Sequence, residues 1–332
     1  GLWRAGGPAT SPIGPAARSH SPPSSVQFGS MSAYVISSLY KFVELSDPEA
    51  LRVPLLERCK QNSVQGTLIL AGEGINGTIC GKRDAIDQVL AWLRQQPGLE
   101  DLDPKESLAD EPAFHRLKVR VKNEILTLRD DEISPRTRVG TYVEPEDWNE
   151  LIADPDVIVI DTRNEYEVRV GTFEGAIDPD IRNFSEFPAW AEANLDSERP
   201  PKIAMFCTGG IRCEKASSLL LREGFPEVYH LHGGILRYLE RVEENDSKWT
   251  GECFVFDQRV ALNHSLQPGQ FSLCYGCQEP IGPEERDHPD FELGVTCPRC
   301  AATTSEATRE RKRERVRQVE LAHSRGERHI GS

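Results

Sequence analysis

The chain has 332 residues, 38% of them hydrophobic and 28% charged, which fits a folded protein of two or three domains. Its formal net charge of -14 excludes a surface that is basic throughout, so any contact with nucleic acid must use local basic patches. No apolar run approaches the roughly 20 residues needed to cross a bilayer, so we expect no membrane partner. The nine cysteines are an odd number and unevenly spread, which indicates a reducing, cytoplasmic setting in which thiols serve chemistry and metal binding.

Residues 1–30 are rich in Gly, Pro, Ser and Ala and show almost no apolar periodicity. Such a segment buries too little apolar surface to offset its ordering entropy, so we expect a disordered N-terminal extension. Met31 directly precedes the first strand-like run and is a candidate natural start.

Residues 31–130 predict a ferredoxin-like, acylphosphatase-like α+β domain, because strand patterns with β-branched residues alternate with helical patterns. The expected elements are strands over 34–43, over 66–80 as a pair around a glycine-rich turn at 72–77, and over 114–121 before a hairpin turn at Lys122–Asn123, and helices over 47–60 and 84–95.

The glycine-rich turn at 72–77 allows two interpretations. As punctuation between two strands it needs no ligand, and such turns are common in hairpins. As a backbone that approaches a phosphate closely, it would belong to a binding site.

One face of the strand over 114–121 is basic, because Lys118, Arg120 and Lys122 alternate with apolar residues. A row of positive side chains suits a phosphate backbone, so these three residues are candidate RNA contacts. The alternative is the solvated face of a sheet that is buried on one side only.

The stretch 202–221 is the one around which the second domain is organised. A short apolar run predicts a buried parallel strand, and helical spacing follows it, so Cys207 lies at the carboxyl end of a strand on a turn into a helix. Backbone N–H groups of the turn favour an anion and should lower the pKa of Cys207 to about 3.5–7.5, which makes it a nucleophile. The alternative is a small buried hydrophobic residue. The turn consists of Thr208, Gly209, Gly210 and Ile211.

Cys207, four further residues and Arg212 resemble the active-site loop of rhodanese domains, which carry sulfur as a cysteine persulfide. More narrowly, Cys-Thr-Gly-Gly-Ile-Arg-Cys-Glu-Lys-Ala from Cys207 and Leu-Ala-Gly-Glu-Gly-Ile-Asn-Gly-Thr from Leu70 resemble the TrhO/YceA family of rhodanese-containing tRNA uridine hydroxylases. The resemblance implies a central rhodanese α/β domain with a parallel sheet over 140–245. It also implies 5-hydroxylation of the wobble uridine of tRNA by molecular oxygen, with Cys207 essential and the first domain helping to present RNA.

Arg212 joins Cys207 in the candidate catalytic set, and Cys213 is a candidate second thiol. Cys213 either resolves a disulfide or packs as a small side chain. No flavin fingerprint, haem motif or iron facial triad can be read from the sequence. The alternative function is a sulfurtransferase that carries sulfur as a Cys207 persulfide. A phosphatase is disfavoured, because related phosphatases place five residues between cysteine and arginine and this chain places four.

Two further positions in this domain carry charge near predicted strand ends. Asp161 and Arg163 resemble the Asp-x-Arg element of rhodanese domains and predict a buried, structural ion pair. His232 could serve as a general base, but its Gly-Gly neighbours are also usual at a helix start in this fold.

Two Cys-x-x-Cys pairs follow, and they suit four thiolates that converge tetrahedrally on Zn²⁺ in a segment over 250–305. The segment is too short for a large core of its own, so metal should supply its folding energy. Two disulfides are the alternative. The ligands are Cys274, Cys277, Cys297 and Cys300.

Residues 306–332 predict a basic helical tail with mixed-charge support. In an acidic protein it is a candidate RNA contact, and a solvated helix is the alternative. Its central cations are Arg311, Lys312 and Arg313.

Overall fold

The first domain is a five-stranded sheet with two helices on one face. The computed structural model describes residues 34–130 and 132–326, so the predicted extension over 1–30 and the end of the tail lie outside the described residues. The first domain consists of β1 (Tyr34–Phe42), α1 (Pro48–Gln61), β2 (Gln65–Ala71), β3 (Gly74–Gly81), α2 (Arg83–Leu93), β4 (Lys105–Ala109) and β5 (Leu117–Val121).

The strand order is β4-β1-β3-β2-β5, antiparallel except for the parallel pair of β2 with β5. Asp47 caps α1 by accepting a hydrogen bond from the Ala50 N–H at 2.9 Å. Apolar residues of both helices, such as Leu55 and Ile86, are fully buried against one face of the sheet. The predicted ferredoxin-like domain is thereby confirmed, and no helix of the described residues covers the other face of its sheet.

Two predictions about this domain are wrong. No hairpin follows β5, because β5 runs parallel to β2 and its chain must leave the sheet; the Lys122 N–H still donates to Leu70 O at 2.9 Å. The turn at 72–77 is also shorter than predicted, since β2 and β3 pair up to Ala71 and Gly74. A Cβ at Gly74 would lie 2.0 Å from Lys41 O, so glycine is required there by the close approach of β1.

The strand β4 was not predicted. Its sequence alternates half-buried and exposed residues, with a lysine and a glutamate at its start, and so lacks the apolar face that identifies a strand. It is nevertheless held along the outer edge of β1 over five residue pairs.

The second domain is a parallel sheet with helices on both faces, as predicted, in the strand order β6-β10-β9-β7. Separate apolar clusters lie on the two faces, one containing Phe187 and Ala216, the other Trp148 and Ile235. The elements are β6 (Thr141–Val143), α3 (Pro145–Ala153), β7 (Val157–Asp161), α4 (Glu165–Val168), β8 (Gly171–Phe173), α5 (Phe187–Asn194), β9 (Lys202–Phe206), α6 (Ile211–Arg222), β10 (Val228–Leu231) and α7 (Gly234–Arg241).

The segment between the two domains is more than a polar linker. Leu128 and Ile133 are buried in the core of the second domain, so the segment is anchored to that domain at these two positions.

The remaining chain continues over the second domain before it reaches the cysteine pairs. β11 pairs antiparallel with β8, and Trp249 and Cys253 belong to the second domain's core. No helix within the described residues is long and apolar enough to span a membrane. The elements are β11 (Trp249–Gly251), β12 (Cys253–Phe254), β13 (Ala261–Leu262), β14 (Ser272–Leu273), β15 (Pro280–Ile281), α8 (Pro283–Arg286), α9 (Pro298–Ala301) and α10 (Glu306–Ser324).

Candidate active site

Cys207 occupies the turn from β9 into α6, at the carboxyl end of a parallel strand. The Gly210 N–H donates to Cys207 Sγ at 3.1 Å. Gly210 has a left-handed backbone with φ of 102°, and a Cβ there would lie 2.7 Å from the Tyr40 hydroxyl of β1. Glycine at this position therefore allows both the tight turn and the approach of the first domain.

The surroundings of Cys207 favour a thiolate. Burial by itself raises the pKa of this thiol, but a hydrogen bond from the Cys213 thiol, the Arg212 charge and the N–H groups of both residues lower the pKa to about 5. Cys207 is thus charged at neutral pH although no part of it is exposed at the surface.

Cys213 lies in the first turn of α6 and is fully buried. Its Sγ is 3.5 Å from Thr162 Oγ1, which also donates to Phe206 O at 3.0 Å. Burial, followed by the neighbouring Cys207, raises the pKa of Cys213 well above its ordinary value. The second thiol is therefore a neutral donor to the Cys207 thiolate.

The guanidinium of Arg212 is paired with a buried carboxylate, so it is not free to bind an anion at the turn. Its two terminal nitrogens donate to the carboxylate of Glu167 at 2.6 and 2.8 Å, and Glu167 is fully buried. Burial opposes the charge on Glu167, but Arg212 lowers its pKa below the ordinary value. Arg212 thus acts on Cys207 as a fixed positive charge, and Glu167, a residue that sequence reasoning missed, holds it in place.

The Asp161–Arg163 pair is confirmed as a structural ion pair, with both side chains fully buried and a shortest distance of 2.6 Å. His232 instead pairs with Glu144, Nδ1 to Oε1, at 2.6 Å and is half-exposed. It is not among the residues that line the cleft described next, so its geometry does not favour a general base for Cys207.

Cys207 opens into a cleft of about 960 Å³ between the two domains. The helix-free face of the first domain's sheet forms one wall, with Thr67, Ile69 and Thr78, and the Cys207 turn forms the opposite wall. Of the predicted basic face, Lys122 lines the cleft. Lys118 and Arg120 project from the same face of β5 but lie outside it.

Three cations line this cleft without an ion pair to a carboxylate among the described residues. An uncompensated positive charge at a partly buried site favours an anionic ligand. They are Lys105 of β4, Lys122 after β5, and Arg129 of the segment between the domains.

The two stretches that resemble the hydroxylase family meet at the domain interface. Lys215, just after the Cys207 turn, is 1% exposed, and its Nζ lies 2.6 Å from Glu124 and 3.0 Å from Glu73 of the β2–β3 turn. The Asn76 side-chain amide also donates to Ile125 O at 3.0 Å. The glycine-rich turn therefore docks the second domain through side chains, a role that neither earlier interpretation included.

A hairpin over 253–262 closes one side of the cleft. The Gln258 N–H donates to Ala113 O at 3.1 Å, and Arg259 Nη1 donates to Ser107 Oγ of β4 at 2.7 Å. This hairpin presents Phe256, a residue that is 60% exposed and whose ring packs edge-on against Phe254 at 5.1 Å. An exposed aromatic ring on a fixed hairpin offers a stacking surface to a ligand.

The four predicted metal ligands come together, with all four Sγ atoms within 4.8 Å of one another. Three of the Sγ–Sγ distances are 3.9, 3.7 and 3.8 Å. A tetrahedral Zn²⁺ site with Zn–S bonds of about 2.3 Å requires about 3.8 Å. The cluster is therefore positioned to bind a metal ion and is compatible with zinc.

The tail helix α10 packs against the metal segment. Lys312 Nζ donates to Gly276 O at 3.2 Å and to Val295 O at 3.3 Å, both beside the cysteine pairs. Arg313 holds Glu292 with two bonds of 2.6 and 2.8 Å. Arg311 instead donates to Thr308 Oγ1 on its own helix. Two of the three predicted RNA contacts thus already support the packing of the tail.

Comparison with known families identifies two domains in the chain. A rhodanese-like domain matches residues 144–241, so this is a rhodanese-domain protein. The UPF0176 acylphosphatase like domain matches residues 34–125. The chain therefore has the domain architecture of the TrhO/YceA (UPF0176) family, in agreement with the resemblance found in its sequence.

Solved structures match single parts of the chain. The Alr3790 protein from Anabaena is 18% identical, with 33% of this chain and 91% of that one covered and a TM-score of 0.28. RPA3614 from Rhodopseudomonas palustris, described as a possible tyrosine phosphatase, is 21% identical over 32% and 83%, with a TM-score of 0.27. An acylphosphatase from Coxiella burnetii is 15% identical over 27% and 94%, with a TM-score of 0.22.

Proposed function

We propose that this protein is a tRNA-modifying oxidoreductase that hydroxylates the wobble uridine at C5, with molecular oxygen as co-substrate. The observation that carries the proposal is the position of Cys207, a thiolate that opens into a cleft whose opposite wall is the sheet of the UPF0176 domain. A sulfurtransferase reaction requires only the rhodanese domain and would not need this second wall.

The lining of the cleft supports a nucleotide ligand. Lys105, Lys122 and Arg129 supply positive charge where a phosphate or a developing oxyanion would lie. Phe256 offers its exposed ring to a base, and base–aromatic stacking contributes about 1–3 kcal/mol in single-stranded nucleic acid binding. The volume of about 960 Å³ accommodates one nucleotide with part of its neighbours.

A sulfurtransferase that forms a Cys207 persulfide is the second candidate. It is favoured by the cluster of donors around Cys207, namely the Gly210 N–H, the Cys213 thiol and the charge of Arg212. These groups would stabilise a persulfide anion as well as a thiolate.

Nucleoside analysis of tRNA separates the two functions. Cells that lack the protein should lose 5-hydroxyuridine derivatives from tRNA, and the wild-type gene should restore them. Cys207→Ser should not restore them, because it removes the nucleophile at nearly constant volume. Cys80→Ser is the matched control, since Cys80 is buried outside the cleft and its Sγ accepts a hydrogen bond from Ala113 N–H that a serine can keep.

Unchanged 5-hydroxyuridine in cells without the protein would reject the hydroxylase. In that case, transfer of sulfur from thiosulfate to cyanide by the purified protein, dependent on Cys207, would establish the second candidate.

We further propose one structural Zn²⁺ per chain and a cytoplasmic setting. All nine cysteines are free thiols, and four of them converge as a metal site needs. Metal analysis of protein purified without chelator should give about one zinc per chain, and Cys297→Ser should lower that content. Zinc content near zero would reject the site.

A further inference from the structure

Lys105 stands out among the residues of the cleft. It lies on β4 opposite Ser38 of β1, and both residues line the cleft that contains Cys207. Its Nζ is 5.1 Å from the centre of the Tyr40 ring. It forms no ion pair with a carboxylate within the described residues, in a chain that carries 53 acidic residues.

Its cationic neighbours are paired. Arg83 binds Glu106 with its two terminal nitrogens at 2.6 and 2.9 Å, and Arg237 binds Asp103 at 2.8 Å. Lys105 alone of these three directs an unneutralised charge toward the cleft. Partial burial, followed by the charge of Arg237, lowers the pKa of Lys105, although the carboxylates of Asp103 and Glu214 act in the opposite direction.

Lys105 and Cys207 are held against the same corner of the cleft by different domains. The Tyr40 ring under Lys105 carries a hydroxyl that donates to Glu214 Oε1 at 2.8 Å and lies against Gly210. Gly210 in turn donates to Cys207 Sγ. The first domain therefore places a cation, and the second domain a nucleophile, on either side of one ligand position.

We propose that Lys105 is a catalytic residue that stabilises an enolate when the Cys207 thiolate adds to C6 of the target uracil. This inference rests on the uridine hydroxylation proposed above. The Sγ–C6 bond forms from the thiolate electron pair, the C5=C6 π pair becomes a C4=C5 double bond, and the C4 carbonyl π pair moves onto O4. The negative charge passes from Sγ to O4, beside the Lys105 ammonium, and no oxidant or proton is consumed.

The addition explains why a thiolate is needed for chemistry at a different carbon. In the adduct, C5 is the electron-rich end of an enolate, and C5 is the position that the hydroxyl group must enter. A positive donor placed where charge develops acts as an oxyanion hole, and loss of one such donor typically slows a reaction by about 10²–10³-fold.

A tRNA anticodon stem-loop with 5-fluorouridine at the wobble position tests the inference, because fluorine makes C6 more electrophilic. Once oxygen has entered at C5, no proton remains there whose loss would release Cys207, so the adduct accumulates. Wild-type protein should form a denaturation-resistant complex whose linkage maps to Cys207, and Cys207→Ser should form none. At saturating RNA, Lys105→Met should form the complex at least about 100-fold more slowly, and Lys105→Arg should recover part of the rate.

Lys60→Met is the matched control, since Lys60 is an exposed lysine at the end of α1 on the other face of the sheet. Iodoacetamide alkylation of Cys207 should keep its pH profile in Lys105→Met, which separates enolate stabilisation from activation of the thiol. If Lys105 only supported the fold, Lys105→Met would alter both the fold and the pH profile of Cys207 alkylation.

Two outcomes would overturn the inference while the proposed function stands. One is the absence of an adduct with protein that hydroxylates ordinary tRNA, and the other is an equal adduct rate in Lys105→Met. If wild-type protein neither hydroxylates tRNA nor forms the adduct, the proposed function and the inference fall together.

Discussion

At the scale of single residues, the charge of Cys207 is a property of its neighbours. A buried thiol alone would stay neutral, as Cys59 and Cys253 show, because burial raises the pKa of each to about 12. Cys207 is equally buried, yet the Cys213 thiol, Arg212 and backbone N–H groups reverse the direction of the shift. The reactive form therefore depends on donors that are fixed by α6.

This dependence predicts the pH profile of Cys207 alkylation. The thiolate is the reactive form, so the rate should rise with pH through the pKa, reach half its maximum near pH 5 and be level by pH 7. Cys213→Ala removes a hydrogen-bond donor to the thiolate and should move the midpoint to higher pH. At low pH the alkylation rate should fall about tenfold for each unit by which the pKa of Cys207 rises. Mass spectrometry of each cysteine peptide measures the rates, and Cys59 serves as the unreactive internal reference. A wild-type midpoint near 8.5 would contradict the prediction.

At the scale of elements, α6 joins the two domains as well as activating the thiol. Lys215, one turn after the Cys207 loop, reaches Glu73, Glu124 and Leu126 O, all of which lie outside the second domain's sheet and helices. A displacement of the domains would therefore strain the same helix that supplies the donors to Cys207.

Lys215→Met should lower the free energy of unfolding by about 1–3 kcal/mol, because it leaves two carboxylates at the interface without their shared cation. Urea unfolding measures the change. Lys202→Met is the matched control and should have little effect, since Lys202 forms only a surface pair with Asp154 at 3.5 Å. A double-mutant cycle of Lys215→Met with Glu73→Gln should show coupling, and strictly additive effects would argue against the contact.

Local patterns predicted those parts of the site that depend on neighbours in sequence. The apolar run before Cys207 and the helical spacing after it were sufficient to predict the strand and the turn into a helix. The close cysteine pairs were likewise sufficient for the metal cluster. Lys215, Glu167 and Lys105 could not be found in this way. Each looks like an ordinary surface charge in sequence, and its partner or its cleft is created only by contacts between distant segments.

The strand β4 that was not predicted and the hairpin that was wrongly predicted after β5 are explained by contacts between distant segments as well. β4 has no apolar face, so only its pairing with β1 makes it a strand. The hairpin predicted after β5 fails because the direction of β5 is set by β2, which lies about fifty residues earlier and gives no local signal.

At the scale of the whole molecule, the proposed tRNA substrate is acidic, so this acidic protein would have to bind it through a few cations. The net charge is -14, and part of the positive charge is committed to internal pairs. Deletion of the tail after Thr308 would remove Lys312 and Arg313, which hold the metal segment, together with any RNA contact. Single substitutions therefore give the cleaner experiment.

We predict that Arg311→Ala and the pair Lys118→Ala with Arg120→Ala each flatten the salt dependence of tRNA binding. Every lost phosphate contact should reduce the log-log slope by about 0.7–0.9. The loss of affinity should be the same for cognate and non-cognate tRNA, because phosphate contacts carry no base information. Binding titrations between low and physiological salt measure the slope, with Lys60→Ala as the control. Unchanged slopes would mean that the RNA phosphates contact other cations of the protein.

The hairpin over 253–262 has a consequence for the order in which the molecule is made. The walls of the cleft come from the beginning of the described chain, from the Cys207 turn, and from Val255 to Arg259, so the last wall is translated some fifty residues after the nucleophile. At synthesis rates of about 5–20 residues per second, the ribosome needs roughly 3–10 seconds to cover that distance. The cleft therefore cannot reach its final shape until the hairpin has been made and has packed against Ser107 and Ala113. Translation thus completes the wall that carries Phe256 after the Cys207 turn and after the sheet of the first domain.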